Sequence, residues 1–336
     1  MKVLSSFNSV NYTQKTNPSF SGKVSVFSKK MDKILQSTNV SQSENLNLLS
    51  MLKKNMVKQI KKKAFLGEGC KAIVLSLDSK YVLKLKKNEP INLEVMNIPF
   101  DKFRDLNFKS YFGGVVAKFG NVSVLKNVSK SGKHLPAGVP ASFAENNLQK
   151  ACVDYYENIY LPRFASLPQK SFDDVAYDFK LLNKNSGDGY CFDVRNPNNF
   201  VLVGKKIKIV DSICKSFEEK MTTTDLLTPF LFFQDVSNEC LFSTKALNNR
   251  RKLFKKIILA GIKNDLPLVN GSNSFVFEEV LESLCKAKVD SNCFIKDLNL
   301  LKSRASNKNE LLGLTKQYLN SIFDVKNQDF FSCCFR

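Results

Sequence analysis

The sequence predicts an α+β protein, with an antiparallel sheet in the first half of the chain and mainly helices in the second half. Short alternating apolar runs separated by turn residues occupy residues 64–128. Beyond them, apolar residues recur at helical spacing. The chain has 336 residues, of which 43% are apolar, so it is long and apolar enough for one large domain or two lobes.

The N-terminal part divides into two segments of different composition. Residues 1–45 are rich in Ser, Asn, Thr and Lys and show no useful periodicity, which predicts a disordered leader. Residues 46–63 have apolar positions at helical spacing and lysines on the other face, which predicts a basic amphipathic helix. We prefer a helix docked on the domain with solvated lysines, and membrane binding is the alternative.

Two hairpins and one short helix are expected in the sheet region. Apolar residues from Ala72 to Leu77, a turn at residues 78–80 and a second run from Tyr81 to Leu85 predict the first hairpin. The second is expected over residues 111–128, split by Gly120 and Asn121. A short helical segment is expected after Pro90.

Helical periodicity dominates residues 129–325, which we expect to form the second lobe, with 326–336 as a tail. Ser171 is the expected N-cap of a helix that ends by Gly187. Residues 200–210 contain two apolar runs joined by a Gly-Lys turn, which predicts a small hairpin. Helices are expected again from about residue 217 to residue 324.

Composition narrows the classes of function. The chain has 51 Lys and Arg against 31 Asp and Glu, a net charge of +20 that could attract nucleic acid, anionic lipid or an acidic protein. Solvated surface lysines are the preferred explanation. The nine cysteines form no CxxC pair, which disfavours zinc and a disulfide framework and suits a reducing interior.

No apolar run is long enough to cross a bilayer, and the N-terminus lacks the apolar segment of a secretory signal. These features predict a cytoplasmic protein without a transmembrane segment. The Ser/Asn-rich leader also fits a bacterial effector exported by a specialised secretion system.

Four features of the sequence are candidates for binding phosphate and magnesium. A glycine-containing turn, Leu66-Gly67-Glu68-Gly69, lets backbone N–H groups approach a phosphate without a clashing side chain. The strand Tyr81-Val82-Leu83-Lys84 follows it and offers a fixed cation. The stretch from Tyr190 to Leu202 contains Asp193, Asn198 and then an apolar strand, and the next strand ends at Asp211. Carboxylate and amide oxygens are suitable ligands for magnesium.

In this order, these features resemble the protein kinase-like family over about residues 64–215. The glycine turn resembles the glycine-rich loop, the strand of Lys84 resembles Val-Ala-Ile-Lys, and Asp193 with Asn198 resembles the catalytic loop. Asp211 matches the Asp of Asp-Phe-Gly. The resemblance implies a bilobal fold, with an antiparallel-sheet N-lobe that contains one helix and a mainly helical C-lobe, and it implies ATP and Mg²⁺ as cofactors.

The resemblance also assigns roles. Lys84 binds the phosphates, with Lys86 as the alternative, and Glu94 orients Lys84 by an ion pair, with Glu89 as the alternative. Asp193 orients the attacking hydroxyl, and Asn198 and Asp211 bind magnesium. The expected nucleotide contacts are Gly67, Gly69, Val74, Lys84, Lys126 and Val128.

Several positions depart from the family pattern. Ala72 replaces the third glycine, Cys191 and Phe192 replace His-Arg, and Ser212 and Ile213 replace Phe-Gly. No Ala-Pro-Glu segment follows, so regulation by loop phosphorylation is not expected. The leading hypothesis is transfer of phosphate to a Ser or Thr hydroxyl of a protein substrate. The alternatives are a pseudokinase that binds without turnover and a basic protein that binds nucleic acid or an anionic surface.

Overall fold

The structure is a computed structural model that describes residues 24–37, 40–62, 64–68, 72–128, 153–186, 189–211, 213–215, 220–232, 243–285 and 290–323. It is an α+β protein with an antiparallel sheet and a large helical part. The chain divides into two compact units. The first unit draws on residues 1–106, 112–134 and 210–212, and the second on residues 107–111, 135–209 and 213–336.

The first unit contains a six-stranded antiparallel sheet in the order β1-β2-β3-β6-β5-β4. Its strands are β1 (Phe65–Glu68), β2 (Ala72–Ser76), β3 (Tyr81–Lys86), β4 (Met96–Asn97), β5 (Val115–Phe119) and β6 (Val122–Lys126). Both predicted hairpins are confirmed, as β2–β3 and β5–β6. Antiparallel pairing of β3 with β6 joins the two hairpins into one sheet.

Two helices that precede the sheet in sequence pack on one of its faces. They are α1 (Val26–Gln36) and α2 (Gln42–Lys61), and α2 confirms the predicted basic helix with an earlier start. Phe27, Met31 and Ile34 of α1 join Leu83 and other sheet residues in one buried core. The prediction of a disordered leader is therefore wrong for α1. The sequence pattern missed α1 because this helix is short and has polar residues on both sides.

Hydrogen bonds fasten α1 to the turn between β2 and β3. Asp78 accepts bonds from the backbone N–H of Ser25 and the hydroxyl of Ser28. Asp32 accepts bonds from the Lys80 ammonium and the Tyr81 hydroxyl. Burial opposes ionisation of Asp78, but its hydrogen bonds outweigh that effect and lower its pKa.

The helix predicted after Pro90 is wrong, since residues 90–95 are not helical and lead into β4. Asn121 explains the difference. Its Oδ1 accepts the backbone N–H of Asn92 at 2.9 Å, and its Nδ2 donates to the carbonyl of Pro90 at 2.9 Å. These tertiary bonds hold the segment in a non-helical conformation and override its local preference.

The second unit is mainly helical. It contains a π-helical turn (Tyr156–Tyr160), α3 (Leu161–Ala165), α4 (Gln169–Asn185), α5 (Thr223–Leu231), α6 (Thr244–Lys263), α7 (Ser274–Cys285), α8 (Ser291–Arg304) and α9 (Lys308–Ile322). Two short antiparallel ribbons accompany the helices. They pair β7 (Tyr190–Phe192) with β10 (Ile213–Lys215), and β8 (Phe200–Val203) with β9 (Lys206–Ile209). The β8–β9 hairpin was predicted, whereas the β7–β10 ribbon was not.

The core of the second unit is aromatic, with Tyr160, Phe164, Phe172 and Phe230 all buried. Phe172 lies on the buried face of α4. Ser171 is not the N-cap, because α4 begins two residues earlier, after Pro168, and the Ser171 hydroxyl donates to the carbonyl of Lys205. Of the described helices, none is long and apolar enough to cross a membrane.

Candidate active site

Lys84 and Asp211 form an ion pair although they lie 127 positions apart in sequence. The Lys84 Nζ lies 2.6 Å from the Asp211 Oδ1, and the side chains keep 31% and 29% of their surfaces exposed. Both residues belong to the first unit. The structure therefore brings these two predicted site residues together, while their roles toward phosphate and metal stay predictions.

The orientation of Lys84 follows from the alternation of side chains along β3. Leu83 and Leu85 are buried in the core shared with α1 and α2. Lys84 lies between them and therefore points to the opposite face of the sheet. Its partners in register are Val74 on β2 and Ser123 on β6, so the lysine lies on an interior strand. An interior strand offers a rigid base for a binding group.

Gly113 allows the backbone of Asp211 to come close. A Cβ built on Gly113 would lie 1.8 Å from the carbonyl oxygen of Asp211, a distance that two atoms cannot adopt. Gly114, the next residue, has more room, since its nearest atom would be Oδ2 of Asp101 at 3.3 Å. Sequence analysis missed Gly113, although two consecutive glycines just before a strand can signal a close backbone approach.

The predicted carboxylate partner of Lys84 is wrong. Glu94 is exposed on an irregular segment and accepts a hydrogen bond from Asn92 Nδ2 at 2.8 Å. Glu89 pairs instead with Lys86, at 2.9 Å. Within the described part of the chain, the carboxylate that contacts Lys84 is that of Asp211. The expectation failed because it required a helix after Pro90.

Of the predicted nucleotide contacts, Val74 lies directly opposite Lys84, whereas Lys126 is opposite Tyr81 and so lies on the other face of the sheet. Gly67 of β1 is opposite Val74 of β2. Lys126 ends β6 and is exposed, and Val128 follows two residues later, half-buried. Gly69 lies outside the described residues. The nucleotide-binding role of this set stays a prediction.

Asp193 lies in the second unit and is held by Asn199. The Asn199 Nδ2 donates to the backbone carbonyl of Asp193 at 3.0 Å and to its Oδ2 at 3.1 Å. Asn199 is buried directly before β8. The side chain of Asn198, the predicted ligand, lies outside the described residues. The number of residues after Asp193 favoured Asn198 in the sequence. That spacing could not show which of the two adjacent asparagines forms hydrogen bonds with Asp193.

Asp178 anchors a backbone segment against α4 in the second unit. Its carboxylate accepts the backbone N–H groups of Lys109, Ser110 and Tyr111 at 2.7, 2.7 and 2.8 Å. The carbonyl of Ser110 accepts the N–H of Ile209, the last residue of β9, at 2.9 Å. Burial raises the pKa of Asp178 to about 6, and the three backbone donors act in the opposite direction.

The oxygen donors suit a magnesium ion that is bound together with phosphate. Such ions usually take one or two carboxylates and complete their shell with phosphate oxygens and water. Asp211 offers a partly exposed carboxylate beside a cation that can bind phosphate. Among the described residues, no group of three or more His, Cys, Asp and Glu could hold a metal by itself. The donor set therefore fits a nucleotide-bound magnesium better than an all-protein metal cage.

Comparison with known proteins does not assign the chain to a family. No family model, no curated protein and no solved structure matches it. The residues and their geometry alone therefore bear on the function.

Proposed function

We propose that the protein transfers the terminal phosphoryl group of ATP, with magnesium, to a Ser or Thr hydroxyl. One observation supports the proposal above all: the 2.6 Å pair of Lys84 with Asp211. A cation and a carboxylate from distant parts of the chain lie side by side, and phosphoryl transfer uses such groups to hold phosphate and metal. The proposal takes the two units as the lobes of a divergent kinase-like fold.

Each residue has a defined task in this proposal. Lys84 binds phosphate oxygens, and Asp211 holds magnesium, which neutralises charge on the phosphates when bound. Asp193 accepts the proton of the attacking hydroxyl or orients that hydroxyl. Asn199 is a positioning residue, because its amide fixes both the backbone and the carboxylate of Asp193.

The proposal predicts the loss of phosphoryl transfer in Lys84→Met, Asp211→Asn and Asp193→Asn. Radiolabelled ATP measures autophosphorylation and transfer to generic protein substrates. We expect each variant to fall by about 100-fold or more, because positioning and charge stabilisation dominate this reaction.

Matched controls come from exposed residues outside this set. Lys118→Met removes an exposed lysine from β5, and Asp265→Asn removes a surface carboxylate that pairs with Lys180 and Lys308. Both should keep wild-type turnover. Equal labelling by wild type and Lys84→Met would overturn the proposal.

A pseudokinase is the second candidate, and the pairing of Glu94 favours it. Glu94 contacts Asn92, so the carboxylate expected to orient Lys84 does not do so. Cys191 and Phe192, which replace the His-Arg pair of the family pattern, also favour a pseudokinase. Nucleotide binding without turnover on any substrate would support this candidate over the enzyme.

A further inference from the structure

The β7–β10 ribbon places two cysteines directly opposite each other. Cys191 is the middle residue of β7, and its partner in register is Cys214, the middle residue of β10. Both belong to the second unit, and both are in the thiol form. The sequence gives little hint of this pairing, because 22 residues separate the two cysteines.

The pairing satisfies the geometric requirements of a disulfide. Opposite residues of an antiparallel pair have Cα atoms about 4.5–5.5 Å apart, whichever type of pair they form. Disulfides span Cα separations of about 4.4–6.8 Å. Directly opposite side chains also project from the same face of the ribbon. A bond between Cys191 and Cys214 therefore requires rotation of side chains and little movement of the backbone.

Both thiols are accessible to a small oxidant, since Cys214 is exposed and Cys191 is half-buried. Cys285 is different. It is also half-buried, but the burial of its thiol on α7 raises its pKa to about 11, which suppresses the reactive thiolate. Thiolate content and exposure decide which cysteines react.

We propose that Cys191 and Cys214 form a reversible cross-strand disulfide, so that this ribbon is a redox modification site. The oxidant class is a peroxide. One thiolate attacks hydrogen peroxide and, with one proton, gives a sulfenic acid and water. The second thiol then displaces the hydroxyl group, which leaves as a second water when the S–S bond forms. Two thiols lose two electrons, and the peroxide is reduced to two waters.

The disulfide adds a covalent link to a short ribbon, in which Phe192 of β7 already packs against Phe108, Tyr111 and Phe179. Two paired strands of three residues each are marginal by themselves. The bond closes a loop that contains Asp193 and Asp211 in its sequence, so oxidation restricts the chain segment that carries both residues. Any effect of that restriction on turnover rests on the proposed function, whereas formation of the disulfide does not.

Peptide mapping of the full-length protein tests the proposal. The protein is oxidised with hydrogen peroxide, remaining thiols are alkylated, and a digest without reductant is analysed by mass spectrometry. We expect a linked Cys191–Cys214 peptide, loss of alkylation at both residues, and recovery of both alkylated peptides after dithiothreitol. Circular dichroism shows whether the oxidised protein remains folded.

Three variants sharpen the assignment. Cys191→Ser and Cys214→Ser should each abolish the linked peptide and leave the remaining cysteine open to alkylation. Cys285→Ser should retain the link. Full alkylation of Cys191 and Cys214 in folded, peroxide-treated wild type would overturn the proposal, as would links made only to other cysteines. The wild-type result tests the proposed disulfide even if a variant fails to fold.

Comparing the turnover of oxidised and reduced protein separates the two proposals. A linked peptide without turnover in either state contradicts the proposed phosphotransferase and supports the disulfide. Turnover without a linked peptide supports the enzyme and contradicts the disulfide.

Discussion

At Gly113, the absence of one methyl group determines where the backbone of Asp211 can lie. The space that a Cβ would need is already filled by the Asp211 carbonyl, and a backbone atom cannot rotate away as a flexible side chain can. Lys84 adds the second constraint, since its ammonium contacts the Asp211 carboxylate. Backbone packing and charge therefore act together on one residue.

Gly113→Ala should displace Asp211 and destabilise the protein by about 1–3 kcal/mol, the usual cost of adding atoms to a filled space. Gly114→Ala is the matched control, because the neighbour that its Cβ meets is a carboxylate end that can move. Urea denaturation measures both variants. Equal midpoints for Gly113→Ala and wild type would show that the close approach does not constrain the chain.

Asp178→Ala should cost about 2–4 kcal/mol, because three backbone N–H groups lose their acceptor. Asp174→Ala, one turn earlier on α4, is the control. It removes a carboxylate that pairs with exposed Lys170 and should cost a few tenths of a kcal/mol. Unfolding by urea at neutral pH compares the two variants.

The pH dependence of the Asp178 contribution has a defined sign. Its folded-state pKa of about 6 lies above the ordinary value of 3.8, so the folded state binds the proton more strongly than the unfolded state. The stability advantage of wild type over Asp178→Ala should therefore fall as pH rises from about 4 to about 6, and then level off. An advantage that grows over this range would contradict the pKa shift.

At the scale of elements, α1 supplies much of the apolar surface that covers the sheet. Met31 is fully buried on α1, whereas Val26 on the same helix keeps 71% of its surface exposed. Met31→Ala should lower the free energy of unfolding by about 2–5 kcal/mol. Val26→Ala should change it little. Similar denaturation midpoints for both variants would mean that α1 does not belong to the core.

Local patterns identified those elements whose own sequence determines them. The β2–β3, β5–β6 and β8–β9 hairpins each have two apolar runs and a short turn, and each was predicted. The β7–β10 ribbon was missed because its three-residue strands carry no pattern and pair across intervening chain. The segment after Pro90 was misassigned because bonds from Asn121, a distant residue, decide its conformation.

In the candidate site too, residues set by local sequence could be predicted, and residues set by distant contacts could not. Lys84 and Asp211 could be predicted because Lys84 lies within one apolar strand and Asp211 follows another, in a recognisable order. Gly113 and Asn199 could not be chosen, since their roles depend on which backbone they touch. Glu94 was wrong because its expected position depended on a helix that does not form.

At the scale of the molecule, the net charge of +20 does not by itself indicate a polyanion partner. Five lysines of the α2 region are exposed, which agrees with the solvated face preferred from the sequence: Lys53, Lys54, Lys58, Lys61 and Lys62. The pair of Lys84 with Asp211 involves two particular charges, both partly buried. Lys84 lies on the face of the sheet that points away from the core. That local arrangement is the stronger guide to function.

Binding of ATP with magnesium, compared with binding in the presence of a chelator, tests the central claim most directly. Calorimetry on wild type should show that chelation weakens binding by about tenfold or more, because Asp211 and the phosphates share the ion. Asp211→Asn should bind ATP with little dependence on magnesium, and Asp265→Asn should behave like wild type. Magnesium dependence that is unchanged in Asp211→Asn, or absent in wild type, would contradict the account.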